Sequence, residues 1–64
     1  MIKVGDRVWT APSQTFVVFG TVVDSKMEKG WQMFKVDWTL PSPEYNISEW
    51  QKCTNLSNTP LFFS

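Results

Sequence analysis

Apolar and polar residues alternate with a period of two in several short stretches of this chain. The clearest stretch runs from Trp31 to Trp38. Phe34, Val36 and Trp38 share one of its faces, while a lysine and an aspartate share the other. This period indicates a half-buried β-strand whose apolar face lies in the core. We therefore expect Phe34 and Trp38 to hold the fold.

A first strand is predicted just after a glycine-aspartate turn near the start of the chain. Alternation places Val8 inside, and Arg7 and Trp9 outside. Residues 11–14 are expected to form a polar loop. This loop contains Pro12, which cannot donate to a sheet ladder and is therefore excluded from any central strand.

A second strand is predicted over residues 16–24, which are almost continuously apolar and rich in β-branched side chains. Gly20 interrupts this run and predicts a bulge or a sharp bend, as needed to curl a small sheet. Residues 25–30 then predict a turn longer than the tight two-residue hairpin types.

Two prolines are expected to end the third strand, because proline restricts both its own backbone and the preceding residue. Tyr45 and Ile47 alternate again and predict a short fourth strand. At most one helical turn, from Ser48 to Trp50, follows it, and a last strand includes Cys53 and Leu56. No long apolar repeat of helical period is present. The fold class expected is therefore all-β with five strands.

The order of these motifs resembles the SH3-like barrels, particularly the Tudor and chromo-barrel modules. The motifs are Val4-Gly-Asp-Arg-Val-Trp9, Gly20-Thr-Val-Val23, Val36-Asp-Trp38 and Tyr45-Asn-Ile47. The resemblance implies a small five-stranded barrel over residues 1–56. Residues 57–64 are then an apolar C-terminal tail that docks on this barrel or on a neighbour. In these families, aromatic residues at one rim hold a methylated lysine or arginine, a peptide or nucleic acid.

The amino-acid composition limits the kinds of ligand and site that this chain can have. Six basic residues balance six acidic ones, so the net charge is zero and no basic patch is evident. Cys53 is the single cysteine and histidine is absent, which excludes a disulfide framework and disfavours a zinc site. We expect no metal and no cofactor. The lone thiol and the lack of a secretory or membrane-spanning apolar run predict a cytoplasmic protein.

Carboxylates are the only candidate acid–base groups, and no histidine or phosphate-binding loop accompanies them. A solvated surface is the favoured interpretation for them. We expect no catalytic residue and no enzymatic activity.

The exposed aromatic residues are the candidate binding site: Trp9, Phe19, Tyr45 and Trp50. Outward-facing rings can attract a cation or stack on a base or a proline. Trp31 and Met33 also fall on an outward face and could instead form a dimer patch.

Two function classes follow from the sequence. The first is a non-enzymatic module that binds a protein or peptide through an aromatic barrel rim, as a small adaptor or inhibitor, with a homodimer as a further option. The second is an SH3-like module associated with nucleic acid, acting through aromatic stacking. The small size of the chain suits an accessory protein of a virus or mobile element.

Overall fold

A curled antiparallel sheet forms most of the protein. The structure, a computed structural model, describes residues 1–13, 16–39 and 47–60. Its strands are β1 (Arg7–Ser13), β2 (Phe16–Glu28), β3 (Trp31–Thr39) and β4 (Trp50–Lys52), in the order β1-β2-β3-β4. The sheet curls into a half-barrel. The expected all-β class is confirmed, but the described residues contain four strands rather than the five predicted.

The core lies on the concave face of the sheet and is made of branched and aromatic side chains. Its buried members are Val8, Val18, Val22, Phe34 and Val36. Alternation explains this set, because every second residue of β2 and β3 points to the same side. The inward placement predicted for Phe34 and Val36 is confirmed. Trp38 is half-buried and packs against this core.

Gly20 allows two strands to approach closely. It is paired with both Val8 and Trp38, so the register is regular on either side of it. A Cβ atom at this position would lie 2.5 Å from the Asp37 carbonyl oxygen and 2.7 Å from Val36 Cγ1. The expected bulge lies instead between Val22 and Asp24, where the register with β3 shifts.

The hairpin between β2 and β3 is tighter than the sequence indicated. β2 continues to Glu28, and only Lys29 and Gly30 connect it to Trp31. Both turn residues have positive φ, 52° and 82°, which is the signature of a type I′ turn. The predicted longer turn over residues 25–30 is therefore wrong. Polar residues resemble a loop in sequence, but here they belong to a two-stranded ribbon that extends past the core.

β1 is an edge strand and tolerates a proline. Ala11 and Pro12 lie within β1 rather than in the loop predicted for residues 11–14. The register with β2 shifts between Thr10 and Ser13. This irregularity takes Pro12 out of regular pairing, as its missing N–H requires.

The last described segment differs most from the prediction. Trp50 belongs to β4, and the helical turn is a 3₁₀ helix at Cys53–Asn55, not at residues 48–50. Ile47 precedes β4 and is not in a strand. Cys53, expected in a final strand, is half-buried against the core.

Among the described residues, a β-bridge between Trp9 and Ser57 stands where the last strand was predicted. The Trp9 N–H donates to the Ser57 carbonyl at 2.8 Å, and the Ser57 N–H donates to the Trp9 carbonyl at 2.9 Å. The Thr10 hydroxyl adds a bond to the Asn55 carbonyl, also at 2.8 Å. The chain after β4 thus returns to β1. Tyr45 and the tail residues 61–64 lie outside the described residues.

Candidate binding surfaces on the outer face

Side chains that do not enter the core form the convex, outer face of the sheet. Residues directly opposite each other in an antiparallel pair share a face. The register therefore identifies which outward residues are neighbours. Two groups of aromatic residues result, one on β1 and β2, and one on the ribbon and β4.

The first group, the Trp9–Phe19 surface, consists of Arg7, Trp9 and Phe19. Trp9 is directly opposite Phe19 in the register. Because the Trp9 peptide group bonds to Ser57 on the other side, this pair is of the non-hydrogen-bonded kind, in which side chains are closest. Phe19 is 36% exposed, and the Arg7 guanidinium lies 5.0 Å from its ring centre.

The second group, the Trp31–Trp50 surface, consists of Lys26, Trp31, Met33, Trp50 and Lys52. The bulge after Val22 puts even-numbered residues of β2 on the outer face, so Lys26 is opposite Met33. Met33 is in turn opposite Lys52 of β4. The two tryptophans lie diagonally on either side of this row, and Trp31 is 45% exposed.

Cations of the chain already cover the rings of the Trp31–Trp50 surface. Lys26 Nζ is 4.4 Å from the ring centre of Trp50, and Lys52 Nζ is 4.8 Å from that of Trp31. Lys26 also forms a half-exposed salt bridge with Glu28 at 3.0 Å. Each contact is within the range of a cation–π attraction. A ligand cation, such as a methylated lysine, would have to compete with these side chains.

The three described members of the predicted site, Trp9, Phe19 and Trp50, are not all neighbours in the sheet. Trp9 and Phe19 lie side by side, as described above, whereas Trp50 is on β4 at the opposite edge of the sheet. Tyr45 is outside the described residues. Trp50 instead shares its surface with Trp31 and Met33, which the sequence had placed on an outward face.

Sequence reasoning missed the two lysines of this surface. Lys26 falls within the turn predicted for residues 25–30, because the predicted second strand ends at residue 24, whereas β2 continues to Glu28. No local signal places a lysine of β4 over a tryptophan of β3. That contact depends on the register between distant segments.

The concave face carries an open groove of about 750 Å³. Its apolar lining includes Met1 and Ile2 of the N-terminal segment, Phe34 of β3, and Cys53 and Leu56 after β4. Lys3 is the only charged side chain among its described lining residues. Apolar walls without an acid–base pair suit packing or ligand contact rather than proton transfer.

The described residues contain neither a metal-binding cluster nor a membrane-spanning helix. No group of three or more histidine, cysteine, aspartate or glutamate residues within ranges 1–13, 16–39 and 47–60 could hold a metal ion. Over the same ranges, no helix is long and apolar enough to cross a membrane.

No known protein family, curated protein or solved structure shows a significant match to this chain.

Proposed function

We propose that this chain is a non-enzymatic binding module built on an SH3-like barrel, and that it binds a protein or peptide through the Trp31–Trp50 surface. The strand order and the return of the chain to β1 at Ser57 support the barrel assignment. A five-stranded barrel requires a last segment beside the first strand. The bridge between Trp9 and Ser57 supplies this contact.

The observation that carries the binding proposal is the grouping of two tryptophans and a methionine on an exposed face. Tryptophan and methionine are enriched at protein interfaces, and tryptophan is the commonest hot-spot residue. Lys26 and Lys52 over these rings favour a partner that carries carboxylates beside large apolar side chains. The carboxylates pair with the lysines while the apolar groups pack on the rings. The expected ligand is thus an acidic, partly apolar peptide segment.

Selection from a random peptide library displayed on phage tests this proposal. We expect enriched sequences to combine Asp or Glu with Trp, Phe or Leu. Binding of the selected peptide should weaken by about 30-fold or more in Trp31→Ala and in Trp50→Ala, as at interface hot spots. Phe19→Ala is the matched control, since Phe19 is an exposed ring on the other surface. Peptides that bind both tryptophan variants as well as the wild type would contradict the proposed site.

The alternation of lysines and tryptophans on this surface favours a second candidate, single-stranded nucleic acid. Bases can stack on the rings while phosphates pair with Lys26 and Lys52. Glu28, which already pairs with Lys26, opposes phosphate binding. Titration of a labelled thymidine oligonucleotide at increasing salt distinguishes the two ligands. Tight binding with a steep salt dependence that is lost in Trp31→Ala would place nucleic acid first.

A further inference from the structure

The two lysines of the Trp31–Trp50 surface differ in their contacts with acidic groups. Lys26 Nζ lies 4.4 Å from the ring centre of Trp50 and 3.0 Å from a carboxylate oxygen of Glu28. Lys52 Nζ lies 4.8 Å from the ring centre of Trp31. Among the described residues, no carboxylate forms a salt bridge with Lys52. The charge of Lys26 is therefore compensated within the chain, whereas that of Lys52 is not.

The end of β4 leaves Lys52 accessible beside Trp31. β4 ends at Lys52, and the chain continues into the 3₁₀ helix Cys53–Asn55. No residue of β4 is opposite Trp31, which pairs across the sheet with Glu28 of β2. Lys52 is exposed, and Trp31 is 45% exposed. A ligand can thus contact both side chains from beyond the end of β4.

The ammonium group of Lys52 has hydrogen-bond donors left for a ligand. An ammonium carries three N–H donors, so it can donate to a carboxylate while it remains over an aromatic ring. At Lys26, a ligand carboxylate would first have to displace that of Glu28. Met33 is paired with both lysines and lies between them. A carboxylate bound at Lys52 would therefore be next to an apolar contact.

We infer that Lys52 is the specificity-determining residue of this surface, and that it binds one carboxylate while a neighbouring apolar side chain of the ligand packs on Trp31 and Met33. This inference rests on the proposed peptide-binding function and specifies it further. Lys26 stays with Glu28 and keeps the ring of Trp50 covered. The ligand segment therefore needs one acidic residue beside one large apolar residue, because this surface offers one uncompensated cation.

Two peptides that differ in one charge test this inference. The probe is a fluorescein-labelled Gly-Ser peptide that carries one glutamate beside one tryptophan, and the second peptide has glutamine in place of the glutamate. Fluorescence anisotropy gives the Kd of each peptide. Ion pairs at a surface are weak, so the wild type should bind the glutamate peptide about fivefold more tightly. Lys52→Gln should bind the two peptides equally.

Removal of the other lysine together with its acidic partner is the matched control. The double variant Lys26→Gln/Glu28→Gln loses a lysine of the same surface but keeps the net charge of the chain. Its preference for the glutamate peptide should remain about fivefold. Lys52→Arg should also keep the preference, because the guanidinium carries the same charge. Circular dichroism of each variant should match that of the wild type, since these side chains lie on the outer face.

A second double variant tests why the two lysines differ. In Lys52→Gln/Glu28→Gln, the carboxylate that compensates Lys26 is removed, so Lys26 becomes free to pair with the ligand. A preference of about two- to threefold for the glutamate peptide should return. The same preference in Lys52→Gln alone would contradict the role given to Glu28.

Two results would overturn the inference while leaving the proposed function in place. The first is a wild type that binds both peptides equally, with binding lost in Trp31→Ala, since the surface then recognises no carboxylate. The second is a preference for the glutamate peptide that persists in full in Lys52→Gln. A wild type that binds neither peptide contradicts the proposed function itself, as does Trp31→Ala with unchanged binding of both.

Discussion

β2 is one continuous strand whose two halves are held by different forces. In the first half, Val18 and Val22 are buried against β1 and β3. In the second half, residues 23–28 are all exposed, and the strand is held by its ladder with β3 and by the tight turn. The cation–π contact of Lys26 with Trp50 and its salt bridge with Glu28 add to this on the outer face.

The first half of β2 contributes mainly to stability, whereas the second half offers side chains that a partner can contact. Burial of branched side chains is the dominant favourable contribution in the first half. The ribbon half contributes less burial, so its side chains stay accessible, as does the ring of Trp31 opposite it on β3. Substitutions should therefore lower the free energy of unfolding in the first half and alter binding in the second.

The largest effect should come from Phe34→Ala. Phe34 is 5% exposed at the centre of the core, and its loss leaves a cavity worth about 3–5 kcal/mol. A domain of this size is stable by only about 3–10 kcal/mol, so much of the protein should be unfolded. A thermal melt followed by circular dichroism measures this. Met27→Ala is the control in the ribbon half. Equal melting temperatures for Phe34→Ala and Met27→Ala would contradict the distinction between the core and the ribbon half of β2.

Gly20→Ala should lower the free energy of unfolding nearly as much as Phe34→Ala. The added methyl group would lie 2.5 Å from the backbone oxygen of Asp37, which cannot move without shifting β3. Overpacking of this kind costs about 2–3 kcal/mol. Denaturant titration of this variant beside Thr21→Ala, at the exposed neighbouring position, gives the difference. An unchanged midpoint for Gly20→Ala would show that the strands can separate freely there.

Alanine substitutions of Trp38 and Trp50 should have effects of intermediate size and should distinguish a core ring from a surface ring. Trp38 packs against the core and its indole N–H donates to the Ser48 carbonyl at 3.0 Å, so Trp38→Ala should cost about 2 kcal/mol. Trp50 lies on the outer face, so Trp50→Ala should cost about 1 kcal/mol, mainly through its contact with Lys26. Denaturant titrations measure both. A larger loss for Trp50→Ala would assign that ring to the core.

The smallest expected effect is a gain in stability, from Lys29→Asn in the turn between β2 and β3. Lys29 adopts φ of 52°, a conformation in which asparagine is favoured over lysine. Lys29→Asn should raise the free energy of unfolding by about 0.5 kcal/mol without changing the core. Equilibrium unfolding with Lys29→Gln as the control measures it. Equal stability of Lys29→Asn and Lys29→Gln would indicate that the turn conformation has no energetic weight.

The sequence predicts which aromatic residues of the candidate site face outward, but not which of them lie together. The outward placement of Trp31 follows from its parity with Phe34 within one strand. The grouping of Trp31 with Trp50 does not, because it needs the register of β4 on β3. The bulge after Val22 changes which β2 residues face outward, and this brought Lys26 to the surface.

Local alternation by itself determined that the protein is all-β and that Val8, Phe34 and Val36 face the core. These properties depend only on the period of two in a pleated strand. The tertiary structure decided the length of β2, the two-residue turn, the site of the 3₁₀ helix and the pairing of lysines with rings. Each of these depends on contacts between segments distant in the chain, where ladder bonds and packing outweigh the loop character of residues 25–28.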